Sequence, residues 1–340
     1  MRLMRNAIFC AALLPLAGAL PVLAQSDWSV TRTMHIGGEG GRDYLTVESE
    51  SHRLFVPRTT HTQVIDADSG KVLGDIPGQK NAHGVALAPS VGRGFITDGG
   101  GEGAILIFDL KTYAVLGRLV TMPDSDGIIY DADLNRVLAV SGDGGALITF
   151  KADIDPKSGK IDPPIMLGGA PEFLASDGTG KVYINLEDKD MVAVVDLNTK
   201  KVIARWPVAP GGKPVGMAMD KANHRLFVGC RNPQQLVVMS AEDGRVMEAL
   251  PIGAGVDATK VDQGVAFASC RDGSLTVAAV KDGHYAVAET VKTPLGARTM
   301  GLDGTQHKLY MPTAEFEPAV GNARPKAKPD SFMIVEVGKK

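Results

Sequence analysis

The chain is short of cysteine and aromatic residues, has no surplus of positive charge and, past its first two dozen residues, lacks any long apolar run. Each shortage removes a class of function. Three cysteines in 340 residues, Cys10, Cys230 and Cys270, cannot staple a disulfide-built scaffold. Without a C-x-x-C-H there is no attachment point for a c-type haem. Two tryptophans and 5% aromatics offer little stacking surface for a quinone cofactor or for the bases of a single nucleic-acid strand. A formal charge of −3 gives no overall pull toward phosphates, so nucleic acid is disfavoured as a partner. No G-x-S-x-G elbow or H-E-x-x-H helix occurs. DGTGKVY at 177–183 lacks the spacing of a phosphate loop and reads as a turn before a strand.

The one apolar run stands at the N-terminus. MRLMRN supplies two arginines, AIFCAALLPLAGAL follows, and PVLA ends in small residues. That order predicts a cleaved signal peptide over 1–24, hence a periplasmic or secreted protein, with 25–340 as a single domain. No other run approaches the ~20 apolar residues of a membrane span. Without Arg2 and Arg5, 34 basic residues face 39 acidic ones, a balance that suits a monomer.

Glycine, with 40 residues, is abundant, and it punctuates a repeat. RLFV occurs at 53 and again at 225; RGFI at 93, RVLA at 136, KVYI at 181, GVAF at 264 and KLYM at 308 fall into line. Successive steps are 40, 43, 45, 44, 39 and 44 residues, the length of a four-stranded propeller blade. Around each anchor runs one order: a short apolar strand, the anchor strand, an alternating strand such as AILIFDL or MVAVVDL, and an outer strand after a turn such as DSGKV or EDGRV. Short strands between Gly/Asp/Asn turns predict an all-β chain, here a seven-bladed β-propeller. The last unit stops one strand short after a flexible Pro/Lys/Ala-rich loop at 316–330, and WSVTRTMHI at 28–36 is the spare strand that closes the last blade. Closure removes an exposed sheet edge.

The V-x-V-I/V-D cadence followed by T/S-G/K-K-V resembles the YVTN-type repeat propellers, and the chain is similar to the YncE-like exported bacterial members of that family over about residues 28 to 337. HGVALAP at 83, PEFLASDGTGKVYINLED at 171, RLFVGCRN at 225, GARTMGLD at 296 and PTAEF at 312 carry the likeness. The resemblance implies the fold and an exported location more sharply than any activity.

Aligning the repeats places one residue per unit just before the inner strand: Asp43, His83, Asp126, Glu172, Val215, Asp257 and Arg298. Six are ionisable and four are carboxylates, so these positions predict a polar ring at one mouth of the channel. The exits of the second strands predict an outer tier from Arg58, His61, Asp98, Asp143, Asn185, Glu187, Arg231, Arg271 and Glu315. A hydrated channel mouth is polar without any function, and aspartate before a strand often merely caps a turn. As a ligand site, the carboxylate arc suits a cation, while Arg231, Arg271 and Arg298 suit a carboxylate or phosphate. His83, Asp126 and Glu172 form a candidate set for a hard or borderline divalent ion such as Ca²⁺, Mg²⁺ or Mn²⁺. Cys230 and Cys270 hold equivalent places in adjacent units and read as two buried unpaired thiols, with a disulfide as the alternative.

Three functions follow. The first is a binding scaffold whose funnel face holds a small molecule, peptide or periplasmic protein. The second is a metal-dependent hydrolase of the lactonase type, whose ion polarises a carbonyl and activates water. The third, implied by the way related propellers partner periplasmic dehydrogenases, is an accessory subunit of a redox system.

Overall fold

The computed structural model describes residues 27–319 and 325–340; the segment 1–24, with Cys10, and positions 320–324 of the 316–330 loop lie outside the described residues. The described chain is all-β, with two short 3₁₀ turns at Pro89–Val91 and Glu187–Lys189. Among the described residues, no helix is long and apolar enough to cross a membrane.

Strand identity follows from where each strand must hide its faces. The anchor strands and their successors are apolar runs buried along most of their length, as in Arg136–Ser141 and Ala146–Lys151. Such runs suit strands covered on both sides. The outer strands face water on one side and alternate instead: Lys201–Pro207 changes between exposed and half-buried at every residue. Between them the Asp-x-x-Ser/Thr turns are closed by side chains. Asp66 Oδ1 accepts from the Ser69 amide at 2.7 Å, and Asp109 Oδ1 from the Thr112 amide at 2.7 Å. These bonds hold both carboxyls below the usual range.

The strands form antiparallel sheets of four, except for one seven-stranded sheet. That sheet exists because Val72–Ala88 runs unbroken for 17 residues. Its first half pairs with Thr59–Asp66, and its second half pairs with Arg93–Asp98. The inner strands follow one another around an axis: Thr46–Glu48, the end of Val72–Ala88, Ser125–Asp131, Pro171–Ser176, Pro214–Asp220, Val256–Asp262 and Gly301–Asp303, the last touching the first again. The architecture is a β-propeller.

Packing explains the stability of this arrangement. Most core clusters are shared by neighbouring sheets: Leu138, Val140 and Leu147 of one meet Leu174, Val182 and Ile184 of the next. Leu45, Leu54 and Val56 near the start of the chain meet Tyr310 and Ile334 near its end. Trp28–His35 pairs with Met333–Lys339, so one sheet joins both described ends. The Trp28 ring stands edge-on to Phe267 of the adjacent sheet at 4.8 Å. Beyond the strands, the described parts of the 316–330 loop double back as a hairpin, with Phe316 bridged to Ala327.

Candidate functional site

The aligned ring positions do not precede the inner strands, as sequence reasoning expected; most stand inside them, at irregularities of the ladder. Pairing skips His83 and Gly84 opposite one residue, Glu172 and Phe173 opposite one residue, and Val215 and Asp257 singly. The ladder also breaks at Asp126 and Gly127. A bulge leaves its extra residue unpaired and re-aims its side chain. Here it turns these side chains to one mouth of the channel.

Polar side chains then fasten the backbone of the ring segments beside them. Thr46 Oγ1 donates to the Val85 carbonyl at 2.6 Å, and Thr97 Oγ1 to the Asp126 carbonyl at 2.6 Å. Asn185 Nδ2 donates to the Val215 and Gly216 carbonyls at 2.9 and 3.0 Å, and Thr299 Oγ1 to the Asp43 carbonyl at 3.1 Å. Five of the seven ring positions therefore stand on bulged strands, while Asp43 and Arg298 lie in the segments that lead into Thr46–Glu48 and Gly301–Asp303.

On one side of the mouth, His83 Nδ1 lies 2.9 Å from Asp43 Oδ2 and 3.7 Å from Asp126 Oδ1. The Asn81 amide sits 2.8 Å from Nε2. Burial works against the imidazolium, but the bond to Asp43 and the charges of Asp126, Asp43 and Asp124 outweigh it and raise His83 to about 9. Burial raises Asp126 to about 7, against the pull of His83. Glu172, beside this cluster in the ring, is lifted to about 8 by burial and by its hydrogen bond to Glu187.

The other side is basic. Arg231 bridges Glu187, at 3.3 Å, and Asp257. Arg298 Nη1 reaches the same buried Asp257 at 3.0 Å. Arg42, Arg271 and Arg298 line a cavity of about 280 Å³ with Leu295, Phe316 and Pro325. The Arg42 guanidinium lies over the Phe316 ring at 4.8 Å and has no carboxylate in ion-pairing distance among the described residues. Burial, then the charges of Arg298 and Arg271, lower its pKa. Consecutive residues, Arg42 and Asp43, thus deliver one charge to each side.

Several positions of the expected outer tier have structural work instead. Arg58 is fully buried and donates to the carbonyls of Gly37, Gly38, Glu39 and Gly41, clamping the approach to the ring. His61 faces Asp75 at 3.6 Å, and Glu315 holds Lys328 in the terminal hairpin at 3.0 Å. Asp98, also fully buried, caps the Lys80 and Asn81 amides and pairs with Arg118. Asn185 serves the neighbouring bulge. Cys230 and Cys270 are buried and free, and burial pushes both thiols up to about 12, which makes them poor nucleophiles. Glu187, Arg231 and Arg271 are the outer-tier members that stay with the ring.

Sequence reasoning missed Arg42, Asp124, Asn81 and Tyr44. The last closes the floor of the mouth: its ring stacks on Phe173 at 4.7 Å and 18°, and its hydroxyl donates to the Asp257 carbonyl. Burial, then the surrounding Asp257, Asp43, Asp126 and Glu172, keep that hydroxyl protonated.

No family model and no curated protein matches the chain. Among solved structures it is similar to the Kuenenia stuttgartiensis hydrazine synthase, at 12% identity and a TM-score of 0.70 over 82% of this chain and 94% of that one. It is also similar to U3-55K, at 11% identity and a TM-score of 0.73 over 91% of this chain and 98% of that one. Both likenesses are of the propeller fold alone.

Proposed function

We propose that this chain is an exported, periplasmic or secreted, seven-bladed propeller of the YncE-like, YVTN-type kind, and that it is a binding scaffold for a zwitterionic small molecule or peptide end at its funnel face. The blade count counts the seven-stranded sheet as two blades sharing Val72–Ala88, with residues 25–340 as one domain and 1–24 as its leader. The observation that carries the binding reading is the division of one mouth into a carboxyl half, Asp43, Asp126 and Glu172 around His83, and an arginine half, Arg42, Arg271 and Arg298, which adjoin at Arg42–Asp43. An incoming ammonium displaces the protons on Asp126 and Glu172. A ligand with an amine and a carboxylate a few bonds apart satisfies both halves. Asp126→Asn weakens ligands through their amine end and Arg298→Ala through their carboxylate end, as titration calorimetry reads directly. Loss of the same end in both variants refutes the reading.

A second reading rests on one observation. Asp43, His83 and Asp126 each offer one ligand atom, all within 4.8 Å of one another, and this donor set fits a hard or borderline divalent ion. Asp43 here replaces the Glu172 of the sequence-based set. An ion there polarises a carbonyl or activates water, the chemistry of a lactonase-type hydrolase, but it must displace the proton that His83 Nδ1 shares with Asp43. Metal content of protein purified without chelator, paired with melting in EDTA, separates the readings. A stoichiometric ion lost in His83→Ala supports the hydrolase, and a metal-free protein indifferent to EDTA supports the scaffold.

A further inference from the structure

Behind the Tyr44–Phe173 floor lies a second chamber of about 370 Å³, at the end of the channel where the inner strands finish. Much of its wall is apolar, Leu45, Val47, Val85, Leu87, Ile128 and Ile129, and the remainder is polar. Into this chamber the Val256–Asp262 strand places Lys260, half-buried, with Nζ 5.6 Å from the centre of the Phe173 ring. That ring contact is the ammonium's one specific interaction among the described residues.

The carboxylates nearby are engaged elsewhere. Asp262 on the same strand holds His307 at 2.8 Å. On the flanking inner strands, Asp220 accepts from Asn223, and Asp303 from the Thr305 and Gln306 amides. Of the other titratable groups lining the chamber, Glu48 is bound by Arg53, Tyr130 bonds Asn135, Tyr44 faces the floor, and Glu50 is exposed. A cation in apolar surroundings without a counter-charge is costly. A ring face compensates for only part of that cost.

We propose that this chamber binds a monoanionic carboxylate with an apolar body, its head on Lys260 Nζ and its body against the Val85–Leu87 and Ile128–Ile129 walls. The exposed Glu50 and the single ammonium disfavour ligands of higher negative charge. At ~30 Å³ for each water-sized group, the volume takes about twelve non-hydrogen atoms, the size of decanoate. The site is separate from the funnel and owes nothing to the zwitterion reading.

The test is titration calorimetry of the full chain at pH 7 with decanoate and with decan-1-ol, which has the same body without the charge. The wild type is expected to take up one decanoate, bound ~10- to 100-fold more tightly than the alcohol, as a charge-assisted bond allows. Lys260→Met is expected to bind the two alike. No decanoate binding to the wild type, or undiminished discrimination in Lys260→Met, overturns the proposal. A second measurement needs only the wild type: after reductive methylation with ¹³C-formaldehyde, the amine that titrates near pH 8 is expected to shift its titration upward when decanoate saturates the protein. An unmoved titration overturns the proposal equally.

Discussion

Replacing Lys260 by methionine removes a charge and keeps an unbranched apolar side chain of similar length, and we expect it to stabilise the protein at neutral pH. Burial alone brings the amine to about 8 from an ordinary 10.5. At 1.36 kcal/mol for each pH unit, holding the ammonium in the chamber at pH 7 costs about 3 kcal/mol as an upper figure. For roughly 300 residues, that is a rise in Tm of about 5 °C on substitution. The sign of the pH dependence is fixed by the direction of the shift. The folded state binds its proton less tightly, so between pH 8 and 10.5 the unfolded chain holds more protons and wild-type stability rises with pH. The gap between variant and wild type is therefore full below pH 8 and closes by about 10.5. Calorimetric melts of both proteins from pH 6 to 10.5 read this directly, because every other group is common to the pair. A variant no more stable than the wild type at pH 7, or a gap that widens with pH, refutes the claim that the ammonium is uncompensated.

His83→Gln in chelator-treated protein has the opposite pH signature. The histidine is raised from 6.5 to about 9, so its contribution, about 3 kcal/mol at most, is complete below pH 6.5 and lost by pH 9, which denaturant titration across that range checks. Glu172→Gln removes a carboxyl raised from 4.5 to about 8. The folded wild type gains a proton relative to the unfolded chain in that window and loses stability as pH rises through it, so the variant is expected to match the wild type near pH 4.5 and to exceed it above pH 8 in thermal melts. Arg58→Ala orphans the buried carbonyls of Gly37, Gly38, Glu39 and Gly41 and is expected to cost about 3–5 kcal/mol in urea unfolding. A loss below ~1 kcal/mol there contradicts the clamp assigned to this arginine.

The repeat was legible because RLFV recurs unaltered at 53 and 225 and because strands covered on both faces need unbroken apolar runs. Alignment of the repeats also found the ring, since equivalent positions in a propeller reach the same mouth. What alignment could not supply is the ladder irregularity. A strand's side chains alternate with period two, and one extra residue flips every later side chain to the other face. Lys260, three residues after Asp257, reaches the channel only because pairing skips Asp257; simple alternation turns it away. Arg42 escaped notice for a related reason, because taking one position per repeat hides a neighbour that serves the same mouth. The outer tier misled because the type of a residue does not say whether its charge serves a ligand or the backbone: Arg58 and Asp98 are buried clamps, while Arg231 has the same chemistry at the rim.

The central claim is that the mouth reads both ends of a zwitterion. It is tested most directly by titrating the wild-type protein with a free-ended dipeptide, its N-acetylated form and its C-terminal amide under one set of conditions. Each masked end removes a charge-assisted contact, so both derivatives are expected to bind ~10- to 100-fold more weakly than the parent. Equal binding of all three, or no binding of the free-ended peptide, contradicts the account.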